Sequence, residues 1–187
     1  MIEDVIDQAI SQTLWEVDEA AEHIGWDSPP QLFIVMLHPL HITSEIEGVG
    51  IEMKQMSGWD IALELGENIS ESLSAMSSLL ESIPSEMKRT NWPAENLYGL
   101  VMVTEAWIVH PDSQAAFDRI KLAKQQGRFM ELANRIETRY VFSVSTRGRR
   151  ATLHHERHGV IQMHGHDDND YDRTIPLRLS TLMKELT

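Results

Sequence analysis

The hydrophobic positions at the start of the chain recur at helical spacing. Ile2, Val5, Ile6, Ala9, Ile10, Leu14, Val17, Ala21 and Ile24 form one stripe, while Glu3, Asp4, Asp7, Glu16, Asp18, Glu19 and Glu22 fill the other side. Gly25 stands where a left-handed cap would end the helix. A helix of about 22 residues spans roughly 33 Å, enough to cross a small domain. Trp26-Asp27-Ser28-Pro29-Pro30 then reads as a connector, since two prolines remove two backbone donors. Gln31–Leu37 is apolar at nearly every position and predicts a short buried strand, which Pro39 is expected to end. Residues 40–66, punctuated by Gly48, Gly50, Gly58 and Gly66, fit neither period and predict an irregular or mobile segment with one or two short elements.

Asn68-Ile69-Ser70-Glu71 has the form of a capping box, and Ile69, Leu73, Met76, Leu80 and Ile83 continue it as a helical stripe towards Pro84. Leu97–His110 is rich in β-branched and aromatic residues and predicts the longest strand, at the sheet centre. Asp112 or Ser113 would cap a helix carrying Ala116, Phe117, Ile120 and Ala123, and residues 112–136 read together as a helical insert. Thr138–Thr146 and Arg150–Arg157 alternate as two strands of a hairpin around Arg147-Gly148-Arg149, and Val160–His164 extends them. A last helix begins near Pro176. Hairpin-linked strands argue for antiparallel pairing. The expectation is therefore a single α+β domain over 1–187. It would hold a mostly antiparallel sheet of about four to five strands, helices on one face and the long N-terminal helix packed across it.

Charge changes this picture more than composition does. Residues 1–96 carry 18 acidic and 3 basic side chains; residues 97–187 carry 11 and 13. Within 118–157 there are ten Lys and Arg against four Asp and Glu. The plain reading is solubility for the acidic half and a solvated face for the basic stretch; the alternatives are that the halves attract each other, within one chain or between two, or that the basic stretch holds an anion. The net charge of −13 argues against general nucleic-acid binding, and the basic second half against a nucleic-acid mimic. The absence of cysteine excludes disulfides, thiolate metal sites and cysteine nucleophiles. No apolar run approaches the roughly 18 residues of a membrane span, and the acidic N-terminus is unlike a secretory signal, so a soluble cytoplasmic protein is expected.

The densest candidate chemistry is histidine. Five of the nine histidines lie in 154–166, followed by a run of aspartates. Imidazole and carboxylate suit a divalent transition metal, which makes His154, His158, His164, His166 and Asp168 the candidate ligands. The competing expectation is that these are surface residues and that no cofactor is bound. A calcium loop from Asp168 fails, because its sixth and twelfth positions are Arg173 and Leu179 rather than Gly and Glu. No phosphate-binding loop, dinucleotide turn, nucleophile elbow or H-E-x-x-H motif is present. Trp26, Pro29, Pro30 and Trp92 form a second candidate set, an aromatic groove for a partner, with tryptophan at the edge of the core as the plainer alternative.

Trp26-Asp27-Ser28-Pro29-Pro30-Gln31-Leu32-Phe33, Trp92-Pro93, Arg139-Tyr140-Val141 with Arg147-Gly148-Arg149, His166-Asp167-Asp168 and Ile175-Pro176-Leu177 span most of the chain. Together they resemble a family of small uncharacterised actinobacterial proteins. The 112–136 insert and the histidine density depart from its pattern. The resemblance implies one intracellular domain and supplies no catalytic residues. The leading expectation is a non-enzymatic protein-interaction or regulatory domain, partnered by another protein or by itself as a homodimer. The alternative is a metal-binding protein or metal-dependent enzyme using the His/Asp cluster.

Overall fold

The computed structural model describes residues 2–41, 46–93, 95–165 and 174–187. Its centre is a six-stranded sheet in the order β2-β1-β3-β4-β5-β6, every neighbouring pair antiparallel. The strands are β1 (Gln31–His41), β2 (Ile46–Gln55), β3 (Leu97–Ile108), β4 (Ile136–Ser145), β5 (Arg150–Glu156) and β6 (Ile161–His164). The helices are α1 (Ile2–Ile24), α2 (Trp59–Leu65), α3 (Ile69–Ser82), α4 (Ser85–Asn91), α5 (Gln114–Gln125) and α6 (Thr174–Leu186). The α+β class and the antiparallel sheet match expectation; the count of six strands exceeds it.

The extra strand comes from the stretch read as irregular. β2 pairs with β1 from Gln55 opposite Phe33 to Val49 opposite Pro39, and α2 follows it. Glycine obscures the period there, but hydrogen bonding along β1 supplies the order that side-chain pattern does not. β1 also runs past Pro39. Its ladder with β3 stops at Met36, so Pro39 sits where the strand has one neighbour instead of two and its missing N–H is tolerated.

Helices cover both faces, which corrects the expectation of one covered face. Leu32, Ile34, Leu100, Met102, Phe142 and Val144 point to a core closed by α2, α3 and α6, including Trp59, Met76, Leu80, Leu179 and Leu182. The alternate residues Val35, Val101, Val103, Val141 and Leu153 face Ile10 and Leu14 of α1. The reason is visible in β3, where Leu97, Tyr98 and Leu100–Val103 are apolar and six consecutive positions, Gly99–Thr104, are buried. A strand apolar on both parities needs a layer on each side.

Local details follow the chain's chemistry. Asn68 caps α3 by accepting the Glu71 N–H at 3.1 Å, while the Glu71 carboxylate accepts the Glu67 N–H at 2.9 Å. Ser113, not Asp112, caps α5. The later part of the 112–136 insert holds a single 3-10 turn, Phe129–Glu131. Where β3 meets β4, a Cβ on Gly99 would lie 2.4 Å from the Val144 carbonyl oxygen, so only glycine fits. No helix among the described residues is long and apolar enough to cross a membrane.

Leu14 is fully buried and carries the contact between α1 and the sheet. Leu14→Ala is expected to lower unfolding stability by about 2–5 kcal/mol, read by urea denaturation. A loss below 1 kcal/mol would mean α1 is not held by this face.

Candidate functional site

β4 and β5 place their side chains alternately in the two layers, and each layer holds a cluster of titratable groups. On the α1 face the centre is Arg139, opposite His155 on β5 and Glu105 on β3. Its side chain has no solvent exposure. Its Nε and Nη2 both donate to Glu105 Oε1, at 3.1 and 3.0 Å. Nη1 donates to Glu22 Oε2 at 3.0 Å, and Nη2 also donates to the Gly25 carbonyl at 3.1 Å. The Trp26 ring lies over the guanidinium, with 4.4 Å from its central carbon to the ring centroid. Asp18 and Glu22, one helical turn apart, bring two carboxylates to the same cation, which also sits at the carbonyl end of α1.

The connector after α1 is wrapped around this arginine. Gly25 and Asp27 have positive φ, and the Asp27 N–H donates to the second Glu105 oxygen at 2.6 Å. Trp26 also meets the Arg157 guanidinium at 5.5 Å and the edge of His155 at 5.8 Å. Arg157 in turn donates to the buried Glu137 carboxylate. Farther along, the buried Trp59 donates its indole N–H to the Pro30 carbonyl at 2.7 Å.

Asp18 pairs with His155 Nδ1 at 2.8 Å. Burial pushes the Asp18 carboxyl above its ordinary pKa, against the opposing pull of His155 and Arg139. Burial also opposes the Glu22 carboxylate, but hydrogen bonds from Trp26 and Arg139 outweigh it and hold its pKa below the ordinary value. The cavity beside this cluster, lined by Ile24, Pro29, Glu105 and Arg139, has about 10 Å3, room for roughly one water. Charges that already neutralise one another in so small a space can hold elements together. They leave no room there for a substrate.

On the opposite face His154 is buried, stacked between Tyr140 at 5.8 Å and His164 at 6.1 Å. Its Nε2 lies 3.4 Å from Glu156 Oε1, which His110 Nε2 approaches at 2.7 Å. Burial drives the His154 pKa down, more strongly than the Glu156 carboxylate raises it. For Glu156, burial opposes ionisation but the two imidazoles prevail and lower its pKa.

Of the expected metal ligands, the structure brings together His154 and His164. His158 stands apart on the exposed β5–β6 turn at a φ of 64°. His166 and Asp168 lie outside the described residues. Among the described residues no group of three or more His, Asp or Glu is arranged to hold a metal ion. Trp26 packs on the α1 face and Trp92 in the core of the other, so the two indoles build no common groove. Pro29 is exposed and Pro30 half-buried beside Trp59. The residue that sequence reasoning passed over is Arg139. Its signal was an arginine at a position whose neighbours on the same parity, Val141 and Glu137, both turn inward.

The architecture defines an α+β domain whose first helix is clamped to the sheet by a buried ion cluster. It belongs to the PPA1309-like protein family, whose sequence model matches residues 10–171. That family carries no assigned activity, so membership names no catalytic residue. Neither a curated protein nor a solved structure matches the chain.

Two outcomes follow from these clusters. Arg139→Met should cost about 3–5 kcal/mol in urea unfolding, because it strands buried carboxylates, and Arg139→Lys should not restore it, since one ammonium cannot reach the same acceptors. A variant as stable as the parent would show the cluster to be dispensable. For His154, the unfolded chain takes up a proton below about pH 6.5 while the folded site resists it, so stability falls as pH drops through that value towards the depressed one. His154→Phe keeps the ring stack and should flatten this part of a thermal-unfolding profile; an unchanged slope would assign it to other groups.

Proposed function

We propose that this chain is a non-enzymatic interaction domain that pairs with a second copy of itself, the basic α5 of each copy lying on the acidic outer face of α1 of the other. The observation that carries the reading is α5 itself. This twelve-residue helix buries only Ala116 and packs chiefly against the 3-10 turn that follows it. Phe117, Leu122 and Met130 are more than half exposed in this segment, beside Arg119, Lys121 and Lys124. A helix of that length is marginal in water without a packed face, and exposed apolar side chains rimmed by charge mark an interaction surface.

Charge complementarity selects the occupant. The outer stripe of α1 presents Trp15, Glu16 and Glu19, with Ile24 two-thirds exposed at its end, so it offers carboxylates next to apolar surface. Within one chain α1 packs on β4 and β5, which leaves the two surfaces for contact between copies. A two-fold arrangement forms the α1–α5 contact twice, as a self-complementary interface does. The closed ion cluster under α1 supports a binding role over a catalytic one, because its charges are committed to holding the helix whose outer face would be read.

Sedimentation velocity on the tag-free protein tests this. The expected result is a dimer that weakens with added salt. Lys121→Glu with Lys124→Glu should give a monomer, as should Glu16→Lys with Glu19→Lys, and mixing the two variants should restore a dimer. A monomer at every concentration, or a dimer indifferent to both charge reversals, would overturn the proposal.

A further inference from the structure

The C-terminal helix and the β4–β5 hairpin leave between them a cleft of about 300 Å3, at the small end of the range for small-molecule sites. It opens on the α6 side of the sheet, so it shares no residue with the Arg139 cluster or with the α1 and α5 surfaces. Its two cations are Arg150 at the start of β5 and Lys184 near the end of α6. Among the described residues neither is paired with a carboxylate. Arg150 is half-buried, and its Nε is shielded from solvent without a hydrogen-bond acceptor. This contrasts with Arg139, whose guanidinium is fully engaged. A guanidinium that lines the cleft with no carboxylate partner gives an incoming anion a charge-assisted hydrogen bond with no existing ion pair to displace.

The hydroxyls of the cleft divide by side. On the hairpin, Ser145 Oγ accepts the Arg149 N–H at 3.1 Å, so its own proton remains to be donated. On the helix the protons are already committed: Ser180 donates to the Pro176 carbonyl at 2.8 Å and Thr181 to that of Leu177 at 3.2 Å. Those two oxygens retain lone pairs that accept. Leu177 and Met183 supply apolar surface between them. The hairpin wall therefore offers the Arg150 guanidinium and a donor, and the α6 wall offers acceptors along an apolar strip with Lys184 near its end. A bare anion would use the two cations and leave the Ser180 and Thr181 acceptors unmet. A ligand that carries an anionic group at one end and hydroxyls on a carbon frame uses both.

We propose that this cleft binds a hydroxylated phosphate monoester, a sugar phosphate in chemical class. Its phosphate meets Arg150, Lys184 and the Ser145 hydroxyl, and its hydroxyls donate to Ser180 and Thr181. Gly148, at a φ of 77°, turns the hairpin so that Arg150 lines the cleft.

Calorimetric titration at low ionic strength with glucose 6-phosphate, ribose 5-phosphate, glycerol 3-phosphate, glucose and inorganic phosphate tests the assignment. At least one monoester should bind more tightly than inorganic phosphate, and glucose should not bind. Arg150→Gln should weaken that monoester by about tenfold or more, Lys184→Gln should weaken it less, and Lys54→Gln on β2, at the opposite edge of the sheet, should change nothing. Lys184 is exposed, so its variant keeps the experiment readable if Arg150→Gln lowers stability. No binding by any of the three monoesters overturns the proposal. So does binding that both cleft variants leave unchanged, or inorganic phosphate bound as tightly as the monoesters.

Discussion

A guanidinium without solvent is the constraint around which the α1 side of this molecule is arranged. Transferring Arg139 from water to a protein interior is costly unless each N–H finds an acceptor and the charge finds its opposite. Glu105, Glu22, the Gly25 carbonyl and the Trp26 ring meet that demand from three separate parts of the chain. Each brings its own requirement. Glu105 must reach from β3, Glu22 must sit one turn after Asp18, and the chain must reverse at Gly25 so that its carbonyl and the next indole face inward. The Trp-Asp-Ser-Pro-Pro connector is thus the shape a backbone takes when it closes over an arginine, with Asp27 held by the same carboxylate that holds the cation.

The same alternation that buries Arg139 puts Tyr140 in the opposite layer, and likewise His155 on one side and His154 on the other. The two strands therefore carry charge pairing towards α1 and ring stacking towards the other face. His154 and His155 are neighbours in sequence and face different surroundings, one among aromatic rings and one beside the Asp18 carboxylate. A run of histidines that looks like one cluster in the chain is divided by the pleat into two.

Much of the fold was legible where one residue type decides the conformation. The stripe from Ile10 to Ala21, the Asn68 cap, the long β3 and the glycine of the Arg147-Gly148-Arg149 turn each act locally, and each appears in the structure. β2 was not legible, because Gly48 and Gly50 erase its alternation and its order comes from β1, a partner that periodicity within one segment does not see. The continuous apolar run Leu100–Val103 carries the two-sided burial, but it does not say which helix covers which face. Arg139 was hidden for a similar reason. Its role depends on Glu22, Glu105 and Trp26 meeting it, and their separations in sequence carry no period. Local patterns named the elements, and long-range pairing built the clusters.

That separation bears on the order in which the molecule is made. Arg139 reaches the Asp18 carbonyl across 121 positions of chain, and the hydrophobic bed of α1 includes Val141 and Leu153. Synthesised well before β4 and β5, α1 is therefore among the last elements to find its seat. Through most of synthesis its apolar stripe has no sheet to cover it, and such waiting segments are where growing chains aggregate. Seven carboxylates on that helix keep it charged and dispersed until β4 arrives, so the acidity of the N-terminal segment protects the nascent chain before it serves the finished one.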